Sequence, residues 1–285
     1  MLFRSLLFIP ASSPKMLLKS NVIKADVIIF DLEDGVSMSR KAEARELLRS
    51  YLKSGLTSRT CMVRVNDVHS EEFQKDIDAL WDVPFDGLYL PKVEYPEDVQ
   101  IASNALDRME KDTEKTVRRC IFNTVETPMG LENSLACLQA SSRVAGACLG
   151  SEDYAAALGV KRSEDYIELD YARRRLVNIA KATGKKAVDT VFADVENMDG
   201  FYKETLYGKR LGYDGKAAVS PIQVPVIHEV FTPTEAEIRH AEAVLAALKE
   251  AQKSSKSIAL LNGKMIDKPV VDQAKNILEI AKNFR

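Results

Sequence analysis

Two carboxylates, Glu126 and Asp153, lie 27 residues apart, and each follows a short apolar run. That spacing is about one strand-plus-helix repeat, so the two would occupy equivalent positions on neighbouring strands roughly 4.8 Å apart. Carboxylates that close repel unless one is protonated or a cation lies between them. Hard oxygen ligands, only two of them from protein, suit Mg²⁺, which keeps waters and takes further ligands from a substrate. Helix capping, or pairing with Arg or Lys, is the alternative. Arg64 ends another apolar run, where an arginine is costly unless it meets an anion. A substrate carboxylate held by two parallel hydrogen bonds would satisfy it, and so would a salt bridge to Asp31 or Asp34. Glu33 and Asp34 face the same choice between chemistry and pairing.

These residues need a frame that gathers strand ends. Eight β-rich runs recur, at 6–9, 27–30, 61–65, 87–90, 119–125, 145–149, 187–192 and 217–219, each followed by a helical stretch. Most are continuously apolar, as parallel strands buried on both faces are. Eight such units within about 230 residues fit an α/β TIM (β/α)8 barrel, whose active sites lie at the C-terminal ends of the strands. Every candidate named so far lies at or just past the end of such a run. The Arg173-Arg174-Arg175 run falls within a helical stretch and reads as a solvated outer face.

The end of the chain breaks the rhythm. Residues 234–253 form a long Ala/Glu/Lys helix, followed by the polar stretch 254–257. Two apolar runs around Asn262-Gly263 then signal a type I′ hairpin, and Pro269 opens a last helix with Val270, Val271, Ala274, Ile277, Leu278 and Ala281 on one stripe. The expected division is a barrel over 1–253 and a small lid over 254–285. About thirty residues cannot hold a core alone, so the lid must dock on its own barrel or on a neighbouring subunit.

The rest of the composition narrows the chemistry. Lys and Arg total 40 against 42 Asp and Glu, which argues against nucleic-acid binding. No apolar run approaches the ~20 residues of a membrane span, and no signal-peptide pattern or glycosylation sequon occurs, so a cytoplasmic protein is expected. Four scattered cysteines and three scattered histidines make neither a zinc site nor a redox motif. No Gly-x-Ser-x-Gly elbow or glycine-rich phosphate loop is present. Any catalysis must rest on carboxylates and arginine, with or without a metal. Lys92 follows the fourth run, but a metal pair makes a Schiff base there unnecessary.

The strand-end motifs, in order, resemble the citrate lyase beta subunit family and its citramalyl-CoA and malyl-CoA lyase relatives. They are Arg4-Ser5-Leu6-Leu7-Phe8-Ile9-Pro10, Phe30-Asp31-Leu32-Glu33-Asp34, Arg64-Val65-Asn66 and Leu90-Pro91-Lys92. Val125-Glu126-Thr127-Pro128-Met129-Gly130, Gly150-Ser151-Glu152-Asp153-Tyr154, Gly212-Tyr213-Asp214-Gly215-Lys216 and 262–269 complete the series. The resemblance spans essentially the whole chain.

The resemblance implies a Mg²⁺-dependent lyase that splits a citryl thioester into oxaloacetate and an acetyl thioester. It makes Glu126 and Asp153 the metal ligands and places Arg64, Glu126, Gly150 and Ser151 against the substrate. Glu33 and Asp34 form an acidic pair near the thioester, and Arg4 is a weaker candidate for contacting the acyl carrier. Asp267, in the Met265-Ile266-Asp267 segment, would act as acid/base, delivered by a neighbouring subunit of a homotrimer. The implied partners are an acyl-carrier protein or a CoA thioester, with transferase and acyl-carrier subunits in a larger assembly. Lyases acting on free citramalyl-CoA or malyl-CoA are the nearest rival, and a non-catalytic scaffold holding an acyl carrier is a more distant one. Many relatives carry Ile-His-Pro where this chain has Val219-Ser220-Pro221, so no histidine is available there.

Overall fold

Strands buried on both faces must be covered by helices, and the eight apolar runs close on themselves in that way. The computed structural model describes residues 3–57, 59–112, 118–163, 165–253 and 259–283. Among them, β1 (Ser5–Pro10), β2 (Val27–Asp31), β3 (Cys61–Arg64), β4 (Gly87–Leu90), β5 (Cys120–Val125), β6 (Val144–Leu149), β7 (Lys186–Asp189) and β8 (Gly215–Ala218) pair in order as a closed parallel barrel. The TIM barrel expected from the pattern is the fold observed. The seventh run is shorter than expected, since pairing ends at Asp189.

Helices follow the strands: α1 (Pro14–Ser20), α2 (Lys41–Lys53), α3 (Glu71–Leu80), α4 (Pro96–Asp112), α5 (Pro128–Gln139), α6 (Ser151–Ala157), α7 (Ile167–Ala182), α8 (Met198–Leu211) and α9 (Gln223–Phe231). Pro96 and Pro128 open their helices, where a missing N–H costs nothing. The barrel interior is filled by Phe3, Leu6, Val27, Ile29, Met62, Tyr89, Phe122, Cys148, Val188 and Ala217. Tyr89 stacks on Phe122 with ring centroids 5.7 Å apart, and Phe8 meets Tyr89 edge-on at 5.3 Å. The barrel is therefore a packed core with a floor of aromatic rings toward its C-terminal end.

Arg173 overturns the reading of its run as a solvated face. It is fully buried, and Nε donates to Asp189 Oδ1 at 3.1 Å while Nη2 donates to Asp189 Oδ2. Glu204 of α8 and Lys216 of β8 complete a buried cluster, with Lys216 Nζ 3.4 Å from Glu204 Oε2. Arg174 and Arg175 do lie outward, paired with Asp170 and Glu132.

A second compact unit runs from Glu229 to Arg285. It holds α10 (Glu235–Lys253), a hairpin of β9 (Ala259–Leu261) and β10 (Lys264–Ile266), and α11 (Lys268–Lys282). The hairpin turn has φ of 50° at Asn262 and 77° at Gly263, the positive pair a type I′ turn requires. The boundary expected after residue 253 falls earlier because α10 provides the missing core. Ala241, Val244 and Ala251 of α10 pack with Ala259, Ile266, Val271 and Ala274. The polar stretch 254–257 and Ile258 lie outside the described residues. Among the described residues, no helix is long and apolar enough to cross a membrane.

Candidate active site

Parallel pairing sets Asp31 directly opposite Arg64, so their side chains leave the barrel rim on the same side. Arg64 Nε donates to Asp31 Oδ1 at 2.8 Å and Nη2 donates to Asp31 Oδ2 at 2.6 Å. The same carboxylate accepts the backbone N–H groups of Glu33 and Gly35, each at 2.8 Å. A Cβ at position 35 would clash with Asp31 Oδ2, so the close turn requires glycine. Arg64 Nη1 reaches Glu33 Oε2 at 3.1 Å, and its guanidinium lies 5.0 Å above the Phe8 ring. Burial disfavours the guanidinium charge, but the Asp31 and Glu33 carboxylates outweigh it and raise the Arg64 pKa. Three of the five N–H donors are thus engaged by protein, and two remain.

Glu33 is buried, and its carboxylate bridges Arg64 and Lys92, with Lys92 Nζ 3.3 Å from Oε1. Burial raises its pKa against the opposing pull of Arg64. Asp34 is exposed at the edge of the site, its N–H donating to Glu33 Oε2 at 2.8 Å.

Glu126 emerges from the end of β5 and is only 4% exposed. Oε2 accepts the backbone N–H of Lys92 at 3.0 Å, a contact made possible by the left-handed backbone of Lys92 at φ 53°. Among the described residues, no cation lies within ion-pair distance of Glu126 or of Asp153. Burial, then Asp153, then Glu33 push the Glu126 carboxyl up to about 7, against the pull of Arg64 and of the Lys92 N–H. Gly150 makes room for it, since a Cβ there would clash with Glu126 Cγ. Asp153, in the first turn of α6, is exposed. Ser151 is fully buried, and its hydroxyl is held by Thr190 at 2.5 Å and by Arg162 at 2.5 Å.

Several of these groups, with Phe8 and Tyr89, line a cavity of about 400 Å³, and Glu33 is not in its wall. Asp31, Asp34, Arg64, Glu126, Gly150, Ser151, Glu152 and Asp153 form its polar wall, and Val219 closes one side. A buried carboxylate without an ion-pair partner among the described residues, beside a second that raises its proton affinity, fits a divalent metal. No group of three or more His, Cys, Asp and Glu among the described residues forms a metal site. Two protein oxygens plus water and substrate suit Mg²⁺ rather than zinc.

One candidate of the barrel lies elsewhere. Arg4 precedes β1 and therefore sits at the opposite, N-terminal end of the barrel, where Nε and Nη2 donate to Asp26 at 2.9 and 2.7 Å. It is not part of this cavity, a correction its place before the strand foretells. Asp267 belongs to the second unit and caps α11, accepting the Val270 N–H at 3.1 Å. Asp31 enters as the holder of Arg64, one of the two partners its strand-end position suggested. The backbone of Lys92 and the side chain of Arg162 carry no comparable sequence signal, since each acts on a residue far away in the chain or through main-chain geometry.

A closed barrel with an Arg and two carboxylates at its C-terminal rim is a frame suited to metal-assisted chemistry on an anionic substrate. The profile of the HpcH/HpaI aldolase/citrate lyase family matches residues 4–221, and the chain belongs to that family. It is 37% identical to citrate lyase subunit beta of Haemophilus influenzae, over 98% of this chain and 97% of that one. It is 32% identical to the mitochondrial citramalyl-CoA lyase of Rattus norvegicus, over 99% and 87%. The solved structure of CitE from Mycobacterium tuberculosis, in complex with magnesium, acetoacetate and coenzyme A, superposes with a TM-score of 0.79 at 28% identity, over 98% of both chains.

Proposed function

We propose that this chain is a Mg²⁺-dependent carbon–carbon lyase of the citrate lyase beta subunit kind. It cleaves a citryl thioester, a 3-hydroxy-3-carboxy acyl group, into oxaloacetate and an acetyl thioester. The carrying observation is the buried Glu126 beside Asp153, facing an Arg64 that keeps two donors for an anion. Glu126 and Asp153 would hold the metal, which when bound supplies positive charge to the substrate's hydroxyl and carboxylate oxygens. Arg64, fixed by Asp31, would bind the carboxylate that becomes part of the keto acid.

The hydroxyl proton leaves as its oxygen becomes the ketone. The electrons of the breaking carbon–carbon bond pass to the thioester as an enolate, which takes a proton to become acetyl. Asp267 would move that proton from a lid that excludes water, with Glu33 and Asp34 near the thioester. The lid is read as reaching a neighbour's site in a homotrimer, the acyl group as carried by an acyl-carrier protein or CoA, and the protein as cytoplasmic. Transferase and acyl-carrier subunits would complete the assembly.

Similarity to a citramalyl-CoA lyase over 99% of the chain supports a second reading, the same cleavage on free citramalyl-CoA. Purified protein offered citryl-, citramalyl- and malyl-CoA with Mg²⁺ separates them. Oxaloacetate from citryl-CoA is the expected product. Faster release of pyruvate from citramalyl-CoA favours the second reading. Turnover of none, in a folded protein that binds acyl carrier, leaves only a scaffold.

A further inference from the structure

Helix α6, which carries Asp153, has seven residues. A helix so short is not stable by itself in water. Its N-cap residue, Gly150, makes no side-chain cap, and the packing of Glu126 leaves no room for a larger residue there. Something else must hold this turn. Arg162, in the segment between α6 and α7, reaches back to it. Nη1 donates to Ser151 Oγ at 2.5 Å and to Glu152 Oε1 at 2.6 Å. These are the two residues immediately before Asp153.

The other side of Arg162 faces two carboxylates and an aromatic ring. Nε lies 3.6 Å from Glu168 Oε1, Nη2 lies 3.9 Å from Glu204 Oε1, and the guanidinium sits 5.2 Å from the Tyr166 ring centre. Glu204 belongs to the buried cluster with Arg173 and Lys216, and Lys216 Nζ donates to the Thr190 carbonyl at 2.8 Å. Thr190 in turn grips the Ser151 hydroxyl. The β6–α6 turn is therefore clamped from two sides onto the rigid wall of β7 and β8.

We propose that Arg162 is a positioning residue of the cation site, fixing the first turn of α6 so that Asp153 and Glu126 present their oxygens to one ion. The proposal rests on the reading of these two carboxylates as Mg²⁺ ligands. It makes a prediction opposite in sign to simple electrostatics. Removing a positive charge near two carboxylates should tighten cation binding through Coulomb attraction alone. Loss of positioning should weaken it, and outer-shell partners of metal ligands are typically worth about 10–100-fold in affinity.

The test is Mg²⁺ titration calorimetry on the full-length protein without substrate. It compares wild type with Arg162→Met, Arg162→Lys, Glu126→Gln and, as a control, Arg174→Met on the outer face. We expect Arg162→Met to weaken Mg²⁺ binding about tenfold or more, with Arg174→Met unchanged. Arg162→Lys should weaken it by a smaller factor, because a point charge cannot hold Ser151 and Glu152 together. Affinity equal to or tighter than wild type in Arg162→Met overturns the proposal. Should that variant not fold, unchanged affinity in Arg162→Lys overturns it as well. If Glu126→Gln binds Mg²⁺ like wild type, or wild type binds none, the metal-site reading itself fails and takes this inference with it.

Discussion

Arg64 is held by Asp31 through two parallel hydrogen bonds, at 2.8 and 2.6 Å, across neighbouring strands. The arginine thus lines the cavity in a fixed orientation, and in the proposed function its remaining donors bind the substrate carboxylate. Hydrogen bonds to charged groups contribute about 1.5–3 kcal/mol. Asp31→Asn should therefore lower kcat/KM by about ten- to a hundredfold. Arg64→Lys should lose at least as much, since an ammonium cannot replace the fork. Steady-state kinetics on the cleaved thioester check both, and wild-type kcat/KM in Asp31→Asn would contradict the positioning role.

Glu126 makes the metal-free protein pH-sensitive. Its carboxyl is pushed up from 4.5 to about 7. The folded chain therefore binds more protons than the unfolded chain between those values, and stability falls as pH rises through that window. Burial raises Glu33 too, in the same sense. A shift of that size corresponds to about 3 kcal/mol. Glu126→Gln, which keeps an acceptor for the Lys92 N–H, should raise the metal-free Tm at pH 8 by several degrees while abolishing Mg²⁺-dependent cleavage. In wild type, Mg²⁺ must displace this proton below pH 7, so apparent Mg²⁺ affinity should fall about tenfold per pH unit between 7 and 5. Thermal melts and Mg²⁺ titrations at pH 6 and 8 check the two effects.

Arg173 and Arg174 are neighbours in sequence with opposite fates. Arg173→Ala leaves the buried Asp189 and Glu204 to share Lys216 and should cost about 3–5 kcal/mol. Arg174→Ala removes an exposed pair and should change stability by less than about 1 kcal/mol. Denaturant unfolding of the two variants measures the difference, and equal losses would contradict the buried cluster.

What could be read from the chain follows from which interactions are local. Continuous apolar runs mark the barrel strands, and the residues at and just past their ends mark its C-terminal rim, so Glu126, Asp153, Arg64 and Asp34 meet at one cavity as expected. Asn262-Gly263 declares its turn by the φ values it tolerates. Arg173 did not declare itself, because a triple arginine in a helix looks solvated until Asp189 arrives from β7. The boundary of the second unit was hidden for a similar reason. The alanines of α10 read as an exposed helix unless the hairpin is known to pack on them.

The shared-site reading has its own test. Glu126→Gln and Asp267→Asn proteins should each be inactive. If barrel and lid come from different chains of a trimer, co-expression at equal levels restores roughly a quarter of the sites. Activity near that fraction supports the exchange, whereas mixed oligomers without activity show that Asp267 acts on its own barrel.

In the proposed function Glu126 and Asp153 hold one divalent cation while Arg64 holds the keto-acid carboxylate. Anomalous diffraction from crystals grown with Mn²⁺ and oxaloacetate tests it directly. The expected result is a single strong peak about 2.0–2.3 Å from a carboxylate oxygen of each residue, with a keto-acid carboxylate against the terminal nitrogens of Arg64. A peak bound by other residues, or oxaloacetate seated away from Arg64, would contradict it.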